Sequence, residues 1–447
     1  MPSFPRDARV QCWPLPQWLH GALPTTSTMF LAFLTTRLCR RASWIFLAVL
    51  LAACSRPSIP TTHLAQDVYV WQRQWTPALR NALSASNAHV ARWHVLAAEL
   101  GASGRWIDIE PEAAVLADTG RPLLLTVRLN GQLARFDGAA IQAHLLELLT
   151  AWRARGLQPA ALEIDYDCAT ARLPDYTAFL QGLKSRIAPL SLAVTALPTW
   201  LASPQLSALL AVADESTLQV HAVLDPRLGL FDAQRAQDWM QQYAVRTRHP
   251  WHVALPAYGS RVSWDGQGRI AAVESERALL AGGVGRELMA EPRVMARFVA
   301  QLEAQAPAGL AGITWFRLPT GDDRRAWSLA TWIAVLQRQP LKDGLTVRLV
   351  AAAGEPGAAS DIRLDNAGNA DAALPLRVRI GRRQPEQPGN ACSGDGINGY
   401  TLENDAQGRY LRLEQAGLLR AGSSRSIGWL RCAAGVAAPD ITLEMGS

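Results

Sequence analysis

The sequence predicts a (β/α)8 barrel of the TIM type followed by a small, all-β, sandwich-like domain. From residue 67 to about residue 340, short apolar runs alternate with amphipathic helical segments, as the strands and helices of a parallel barrel do. After residue 343 the helical periodicity is absent, and alternating runs are separated by Gly, Asn and Asp turns. This second pattern is typical of antiparallel sheets.

Eight apolar runs are predicted to be the barrel strands, and helical segments lie between most of them. The predicted strands are 67–75, 92–99, 122–130, 161–168, 191–198, 216–224, 251–258 and 311–318. The predicted helices include 138–154, 174–187, 232–245, 291–304 and 325–338. A Gly-rich insert at 259–290 is predicted to form a hairpin after the seventh strand, at the face where an active site would lie.

The fourth predicted strand carries an alternating acidic run, Glu163-Ile164-Asp165-Tyr166-Asp167. Side chains along a strand alternate between its two faces, so the three acids share one face. Three carboxylates on one face of a buried strand are costly unless something uses or neutralises them. The carboxyl ends of barrel strands form the active-site mouth, so the run predicts a catalytic site there.

Two acids close to one bond are typical of glycoside hydrolysis, in which one carboxyl group protonates the leaving oxygen. We expect Asp167 to be that proton donor, because the deeper acids of a like-charged row raise the pKa of the outermost one. Asp165 is expected to be its electrostatic partner and Glu163 a deeper modulator. A metal site or a salt-bridged layer of the barrel is the structural alternative for the same three acids.

Polar and aromatic side chains near the ends of the other strands are predicted to bind the substrate, and sixteen Trp against nine Phe favours stacking on sugar rings. The candidates are Arg73, Trp75, Arg128, Asn130, Gln219, His221, Tyr258, Trp315 and Arg317. Each also has a structural interpretation. His221 fits a hydrogen-bonded core histidine, Arg128 and Arg317 fit counter-ions of the acids, and the Trp residues fit the core.

The acidic run resembles the Asp-x-Asp-x-Glu ending of the fourth strand in chitinase-like glycosidases. Gly312-Ile313-Thr314-Trp315 resembles their eighth strand, which ends in Trp. Two positions depart from that pattern. The terminal acid is Asp167, one methylene shorter than Glu, and Gln219-x-His221 replaces the Tyr-Asp of their sixth strand.

Across residues 67–340 the chain more closely resembles an uncharacterised bacterial lipoprotein family, "domain of unknown function 3142". The motifs that carry this likeness are Val68-Tyr69-Val70-Trp71-Gln72-Arg73-Gln74-Trp75, Glu163-Ile164-Asp165-Tyr166-Asp167 and Gln219-Val220-His221. The resemblance implies a lipobox and a barrel, and it brings no known activity.

Residues 1–53 are predicted to be a signal segment, with Met29 as a second possible start of translation. Arg37, Arg40 and Arg41 precede an apolar run that is too short to span a membrane. The ending Leu51-Ala52-Ala53-Cys54 resembles a bacterial lipobox, which implies lipidation of Cys54. An ordinary signal peptide that happens to carry a Cys is the alternative.

Ser55 follows the lipobox cysteine, and sorting rules for lipoproteins then favour the outer membrane with the protein body in the periplasm. Residues 54–66 are predicted to be a tether, 67–342 the barrel and 343–447 the sandwich-like domain. An oxidising compartment would allow a disulfide between Cys392 and Cys432.

The net charge does not indicate nucleic-acid binding. The formal charge of the full chain is +6, but residues 1–53 contain five Arg and one Asp, so the remaining chain carries 39 − 37 = +2. We expect a glycan or polysaccharide as partner, membrane contact through the lipid anchor alone, no nucleic acid, and no cofactor or metal. The sequence leaves the oligomeric state open.

Two other functions fit the same residues. One is a noncatalytic glycan-binding or envelope-assembly lipoprotein on a degenerate barrel, in which arginines hold the acids in ion pairs. The other is a metal-dependent hydrolase that uses the acids together with His221.

Overall fold

The computed structural model describes residues 63–221, 229–274, 285–351, 358–381, 392–414, 417–433, 436 and 439–444. The predicted signal segment, the lipobox with Cys54 and most of the predicted tether lie outside the described residues. Among the described residues, no helix is both long and apolar enough to span a membrane.

Eight parallel strands close into the predicted barrel. They pair in the order β1-β12-β8-β7-β6-β5-β4-β2, and β2 pairs with β1 to complete the ring. The barrel strands are β1 (Ala65–Val70), β2 (Trp93–Leu100), β4 (Leu123–Leu129), β5 (Pro159–Tyr166), β6 (Ser191–Ala196), β7 (Glu215–Gln219), β8 (Trp251–Pro256) and β12 (Leu310–Phe316). All eight predicted strands are confirmed, with shifted ends.

Eight α-helices lie along the described part of the barrel: α1 (Pro77–Ser86), α2 (Ala113–Asp118), α3 (Gly138–Ala154), α4 (Leu173–Ile187), α5 (Leu206–Val212), α6 (Ala233–Ala244), α7 (Pro292–Ala304) and α8 (Leu329–Leu336). Local chemistry sets their ends. The Asp137 side chain accepts a hydrogen bond from the backbone of Ala140 at the start of α3. Gly156, in the left-handed region at φ 83°, follows the end of the same helix.

Three local features differ from the sequence predictions. The first strand begins at Ala65 and ends at Val70, so Arg73 and Trp75 follow the strand rather than belong to it. A short strand, β3 (Trp106–Asp108), pairs antiparallel with the end of β2. The insert after β8 is a three-stranded sheet rather than a hairpin, because β9 (Gly259–Trp264) pairs on both edges. Its partners are β10 (Ile270–Glu274) and β11 (Gly285–Met289).

The C-terminal region forms separate antiparallel sheets, as predicted. One four-stranded sheet has the order β13-β14-β21-β17, the other has the order β18-β19-β16-β22, and β15 pairs with β20. The strands are β13 (Leu345–Ala351), β14 (Ser360–Asn366), β15 (Ala372–Ala373), β16 (Arg377–Ile380), β17 (Cys392–Gly396), β18 (Tyr400–Asp405), β19 (Gly408–Leu413), β20 (Leu418–Leu419), β21 (Ser424–Cys432) and β22 (Ile441–Glu444). Apolar side chains from both four-stranded sheets share one core, which includes Ile362, Val378, Leu411 and Ile427.

The predicted disulfide between Cys392 and Cys432 is present. It joins residues that face each other in β17 and β21, so it ties the edge strand of one sheet to its neighbour. Cys168 is buried and free.

Candidate active site

The acidic run lies on β5 and at the residue that follows it, with the acids on the inner face of the barrel. Ile164 and Tyr166, which alternate with them, are buried in the hydrophobic core. Glu163 and Asp165 instead contact residues of other barrel strands across the interior. Their exposure rises along the strand: Glu163 is fully buried, Asp165 is 4% exposed, and the Asp167 side chain is 36% exposed.

Glu163, the deepest acid, is fully satisfied as a carboxylate. It accepts hydrogen bonds from the Tyr69 hydroxyl at 2.9 Å and the Thr126 hydroxyl at 2.8 Å, and it lies 2.9 Å from Nδ1 of His94. Burial alone would raise the pKa of Glu163, but the His94 charge and these hydrogen bonds lower it. Glu163 is therefore an ionised structural group.

His94 balances two buried acids. Its Nε2 lies 3.4 Å from Oδ2 of Asp67, and its Nδ1 faces Glu163. Burial opposes the charge, yet the two carboxylates raise the pKa of His94 to about 9. Burial likewise opposes ionisation of Asp67, but His94, His252 and Arg92 lower the pKa of Asp67 to about 2. The amino-terminal end of the barrel thus contains a neutralised ion network.

Asp165 has a different environment two residues further along the same face. One of its oxygens, Oδ1, accepts hydrogen bonds from the Thr195 hydroxyl at 2.6 Å and from the Gln219 amide at 3.1 Å. Burial and then the charge of Asp167 raise the pKa of Asp165 to about 7, although Arg128 and the Thr195 hydrogen bond oppose the shift. The sequence predicts the raised pKa at the outermost acid, Asp167. The structure places it at Asp165 instead, because burial outweighs position along the row.

Asp167 lies at the mouth, where Arg128 approaches it. The distance from Nη2 of Arg128 to Oδ2 of Asp167 is 3.5 Å, and Nη1 of the same guanidinium lies 3.9 Å from Glu99. Glu99 in turn pairs with Arg73 at 2.7 Å. Gly131 fixes the local backbone, because a Cβ atom there would lie 1.8 Å from the carbonyl oxygen of Asp167.

An aromatic group lines the opposite side of the interior. The His221 ring stacks on Phe316 with 5.2 Å between centroids, and its Nδ1 lies 3.4 Å from the Tyr258 hydroxyl. Burial lowers the pKa of His221 to about 4, so the imidazole is neutral at pH 7. Its Nε2 is buried and has no hydrogen-bond partner among the described residues.

Trp315, a predicted stacking residue, does not line the mouth. Its side chain is fully buried in the main hydrophobic core, and its indole N–H donates to Oε1 of Gln66 at 2.7 Å. The prediction is wrong because alternation along β12 turns Trp315 toward the helices and Phe316 toward the interior. Trp75 is partly buried and packs against the same core.

Two further candidates have clear structural contacts. Arg317 pairs with Asp323, with 3.0 Å between its Nε and Oδ2, and its guanidinium lies 5.7 Å from the centroid of the Tyr258 ring. Oδ1 of Asn130 accepts a hydrogen bond from the backbone of Gln132 and so shapes the turn that contains Gly131.

The structure therefore brings most of the predicted residues together at the mouth and in the interior of the barrel. Four contacting residues were not singled out from the sequence: His94 and Thr126 deep in the barrel, and Thr195 and Phe316 nearer the mouth. All four lie inside predicted strands, so alternation could have placed them on the inner face. The described residues contain no group of three or more His, Cys, Asp or Glu side chains that could hold a metal ion.

Two family models of unknown function match parts of the chain. Residues 119–321 match the model described as "Domain of unknown function (DUF3142)", and residues 349–433 match "Domain of unknown function (DUF8456)". No curated protein shows significant sequence similarity to the chain.

Several solved structures are similar in fold. The spore cortex-lytic enzyme SleL of Bacillus cereus has 14% identity and a TM-score of 0.45, with 62% of this chain and 74% of that chain covered. A chitinase from Chromobacterium violaceum has 14% identity and a TM-score of 0.44, with 62% and 98% covered. A chitinase from Bacteroides thetaiotaomicron has 15% identity and a TM-score of 0.44, with 57% and 90% covered. These are likenesses of fold alone, and the chain resembles the DUF3142 family, as its motifs indicated.

Proposed function

We propose that the barrel mouth is the active site of a glycoside hydrolase that acts on a polysaccharide or other glycan. The observation that carries the proposal is the gradient along β5, from an ionised and satisfied Glu163 to a half-exposed Asp167. Between them, Asp165 retains a proton close to neutral pH. Such a pair can donate a proton and then hold negative charge beside a developing positive charge.

Asp167 is the member of the pair that reaches solvent, so it would contact the glycosidic oxygen and deliver the proton. Asp165, held by Thr195 and Gln219, would share that proton and stabilise the positive charge at the anomeric carbon. Glu163 would keep its negative charge throughout and so support the raised pKa of Asp165. The proposed reaction needs no cofactor.

The surrounding side chains would position the sugar. Arg128 borders Asp167, and the neutral His221 would support the ring of Phe316 on which it stacks. Tyr258 would hold His221 in place, and Gln219 would hold Asp165. Phe316 takes the stacking role that the sequence assigned to Trp315, since its ring lines the interior beside His221.

A noncatalytic glycan-binding protein is the second candidate, and the contact between Arg128 and Asp167 favours it. In that case the arginine neutralises the acid permanently. At 3.5 Å the contact is long for an ion pair with hydrogen bonding, and Asp165 is held by neutral groups instead. The length of the contact between Arg128 and Asp167 and the neutral hydrogen-bond partners of Asp165 support hydrolysis over binding alone.

We also propose that the protein is a lipoprotein anchored through Cys54 in the outer membrane and facing the periplasm. The disulfide between Cys392 and Cys432 fits an oxidising compartment. Metabolic labelling with a palmitate analogue tests the anchor. Label should enter the wild type and be absent from Cys54→Ala, and label in both proteins would contradict the proposal.

Hydrolysis is tested on a panel of envelope glycans with the wild type, Asp167→Asn and Asp118→Asn. Asp118 is an exposed acid at the end of α2, just before β4 and hence at the amino-terminal end of the barrel, so its variant removes the same charge away from the mouth. We expect Asp167→Asn to lower kcat by about 10²–10⁴-fold and Asp118→Asn to leave it unchanged. Equal turnover in both variants would remove Asp167 from catalysis, and an inactive wild type that binds a glycan of the panel would favour the second candidate.

A further inference from the structure

A cavity of about 990 Å³ lies where the carboxyl end of the barrel meets the C-terminal sheets. The barrel side is formed by residues that follow β1 and β12 and by β11, and the other side includes Asp371, Leu418 and Arg420. Asp165 and Asp167 are not among the lining residues. The cavity is therefore a feature separate from the acid pair.

Hydrogen bonds hold the two sides of the cavity together. The carboxylate of Asp371 accepts from the backbone N–H of Ser328 at 2.7 Å and from that of Ala421 at 2.8 Å. The Arg420 guanidinium donates to the carbonyl oxygens of Gly321 at 3.2 Å and Ala326 at 3.1 Å. Because these contacts join the C-terminal sheets to the barrel, the cavity has fixed walls.

The lining contains six arginines and four acidic side chains. Two arginines are paired inside the cavity, Arg317 with Asp323 and Arg325 with Glu287. The acids Asp322 and Asp371 accept hydrogen bonds from hydroxyl groups or from the backbone, which leave them ionised. Six arginines against four acids give the lining a formal charge of 6 − 4 = +2.

Arg324 and Arg425 account for that excess. The charge of Arg420 is offset by the nearby Asp322 carboxylate, whereas Arg425 donates to the backbone carbonyl of Asn398, which does not neutralise a guanidinium. Arg324 is exposed and has no ion pair among the described residues. A guanidinium with free N–H groups prefers carboxylate and phosphoryl oxygens.

One layer of side chains separates the cavity from the acid pair. On one side, Arg73 lines the cavity and pairs with Glu99 at 2.7 Å, and Glu99 lies 3.9 Å from Arg128, the residue beside Asp167. On the other side, Arg317 lines the cavity and lies 5.7 Å over the ring of Tyr258. The cavity therefore lies one layer of side chains from the acid pair, and a glycan bound at the mouth would have to pass over that layer to reach it.

We propose that this cavity is a subsite for the anionic groups of an extended glycan, so that the substrate is an acidic polysaccharide rather than a neutral one. This inference rests on the proposed function for the position of the chain at the mouth. Trp71, Met289 and Leu418 add apolar wall against which sugar rings can pack. The anionic group is a carboxylate or a phosphoryl group, and the experiment distinguishes the two.

The test is calorimetric binding to the full chain carrying Asp167→Asn, which prevents turnover during the titration. The probes are a galacturonic acid hexasaccharide and its methyl ester, which differ only in charge, together with glucose 6-phosphate and glucose. The cavity variant adds Arg324→Gln and Arg425→Gln. The matched control adds Arg248→Gln, an exposed arginine just before β8 and hence at the opposite end of the barrel.

We expect one anionic probe to bind at least about tenfold more tightly than its neutral counterpart at low salt. The cavity variant should lose about tenfold of that affinity, and the control should lose none. Affinity for the anionic probe should fall as salt is added, because exposed charges are screened. Preference for the hexasaccharide identifies a carboxylate, and preference for glucose 6-phosphate identifies a phosphoryl group.

Equal affinity for charged and neutral probes, or an unchanged affinity in the cavity variant, would overturn the inference. Hydrolysis of neutral glycans by the wild type, with equal affinity for the charged forms, would overturn it and leave the proposed function intact. Arginine-dependent binding of an acidic glycan that the wild type never hydrolyses would support the subsite and contradict the proposed function instead.

Discussion

Glu163 and Asp165 lie two residues apart on the same face of β5, yet their environments shift their pKa values in opposite directions. At the inner position, His94, Tyr69 and Thr126 favour the carboxylate, and the pKa of Glu163 is lowered. At the outer position, burial beside a second acid favours the neutral form, and the pKa of Asp165 rises to about 7. Two acids on one face thus differ because their partners differ: His94 and two hydroxyl groups hold the buried Glu163 ionised, whereas burial beside Asp167 keeps Asp165 neutral.

The largest effect that the comparison predicts is on activity. Asp165→Asn keeps Oδ1 as acceptor for Thr195 and Gln219 but removes the proton that Asp165 holds near neutral pH. We expect turnover to fall by about 10²–10⁴-fold. Wild-type activity should also fall as pH rises through about 7, the pKa of Asp165. Comparing pH–rate profiles of the two proteins checks this, and a wild-type profile that is flat from pH 5 to 9 would argue against the assignment.

At the inner position, His94→Leu removes the cation that faces Glu163 and Asp67. This change leaves Glu163 and Asp67 buried without their shared cation, so we expect a loss of about 3–5 kcal/mol in the free energy of unfolding. His144→Leu is the matched control, because His144 pairs with a half-exposed Asp108 on the outside of the barrel. That change should cost about 1 kcal/mol or less.

His94 also makes stability depend on pH. Its pKa is raised from 6.5 in the unfolded chain to about 9 in the folded one. Its contribution is therefore fully present below pH 6.5 and is lost as pH rises through about 9. Urea unfolding at several pH values should show this decline in the wild type and not in His94→Leu. The same decline in both proteins would place its cause elsewhere.

At the outer position, replacing Asp165 with a neutral residue is expected to raise the free energy of unfolding. The pKa of Asp165 is raised from 3.8 to about 7, so its ionisation opposes folding as pH rises above about 4. Asp165→Asn should therefore match the wild type near pH 4 and exceed its stability at pH 8 by on the order of 2 kcal/mol. Chemical unfolding at the two pH values measures the difference. A variant less stable than the wild type at pH 8 would mean that Asp165 is held as a carboxylate.

The smallest predicted effect comes from replacing the threonine that donates a hydrogen bond to each acid, Thr195 at Asp165 and Thr126 at Glu163. Thr195→Val removes a hydrogen bond that lowers the pKa of Asp165, so the alkaline limb of activity should move up by about half to one pH unit. Thr126→Val removes the equivalent bond to Glu163 and should leave that limb in place while lowering stability. A shift of equal size in both variants would show that the two acids titrate together.

The sequence was sufficient for the ring of strands and for the face that carries the acids, because both depend on local periodicity. Ile164 and Tyr166 are buried among apolar residues, while Glu163 and Asp165 contact residues across the interior, as alternation requires. The side chains that contact Glu163 and Asp165 could not be predicted in the same way. Tyr69 and His94 meet Glu163 from strands that precede it by 94 and 69 residues, and periodicity carries no information on such distances.

Two errors have the same origin. The sequence predicts Trp315 at the mouth because an aromatic side chain near the end of a barrel strand is expected there, but the register of β12 turns Phe316 inward and buries the indole against Gln66 and Trp327. It also predicts the raised pKa at Asp167 from the order along the strand, but depth in the mouth gives it to Asp165. Register and depth depend on how the whole ring closes, so they follow from the structure alone.

The protonation state of the Asp165 side chain provides the most direct test. Aspartate carboxyl groups labelled with ¹³C can be titrated in the wild type and in Asp165→Asn, the latter to identify the signal. The gradient along β5 predicts one carboxyl signal with a midpoint near pH 7 that is missing from the variant. A signal for Asp165 that titrates near pH 4, as an ordinary aspartate does, would contradict the proposed proton donor pair.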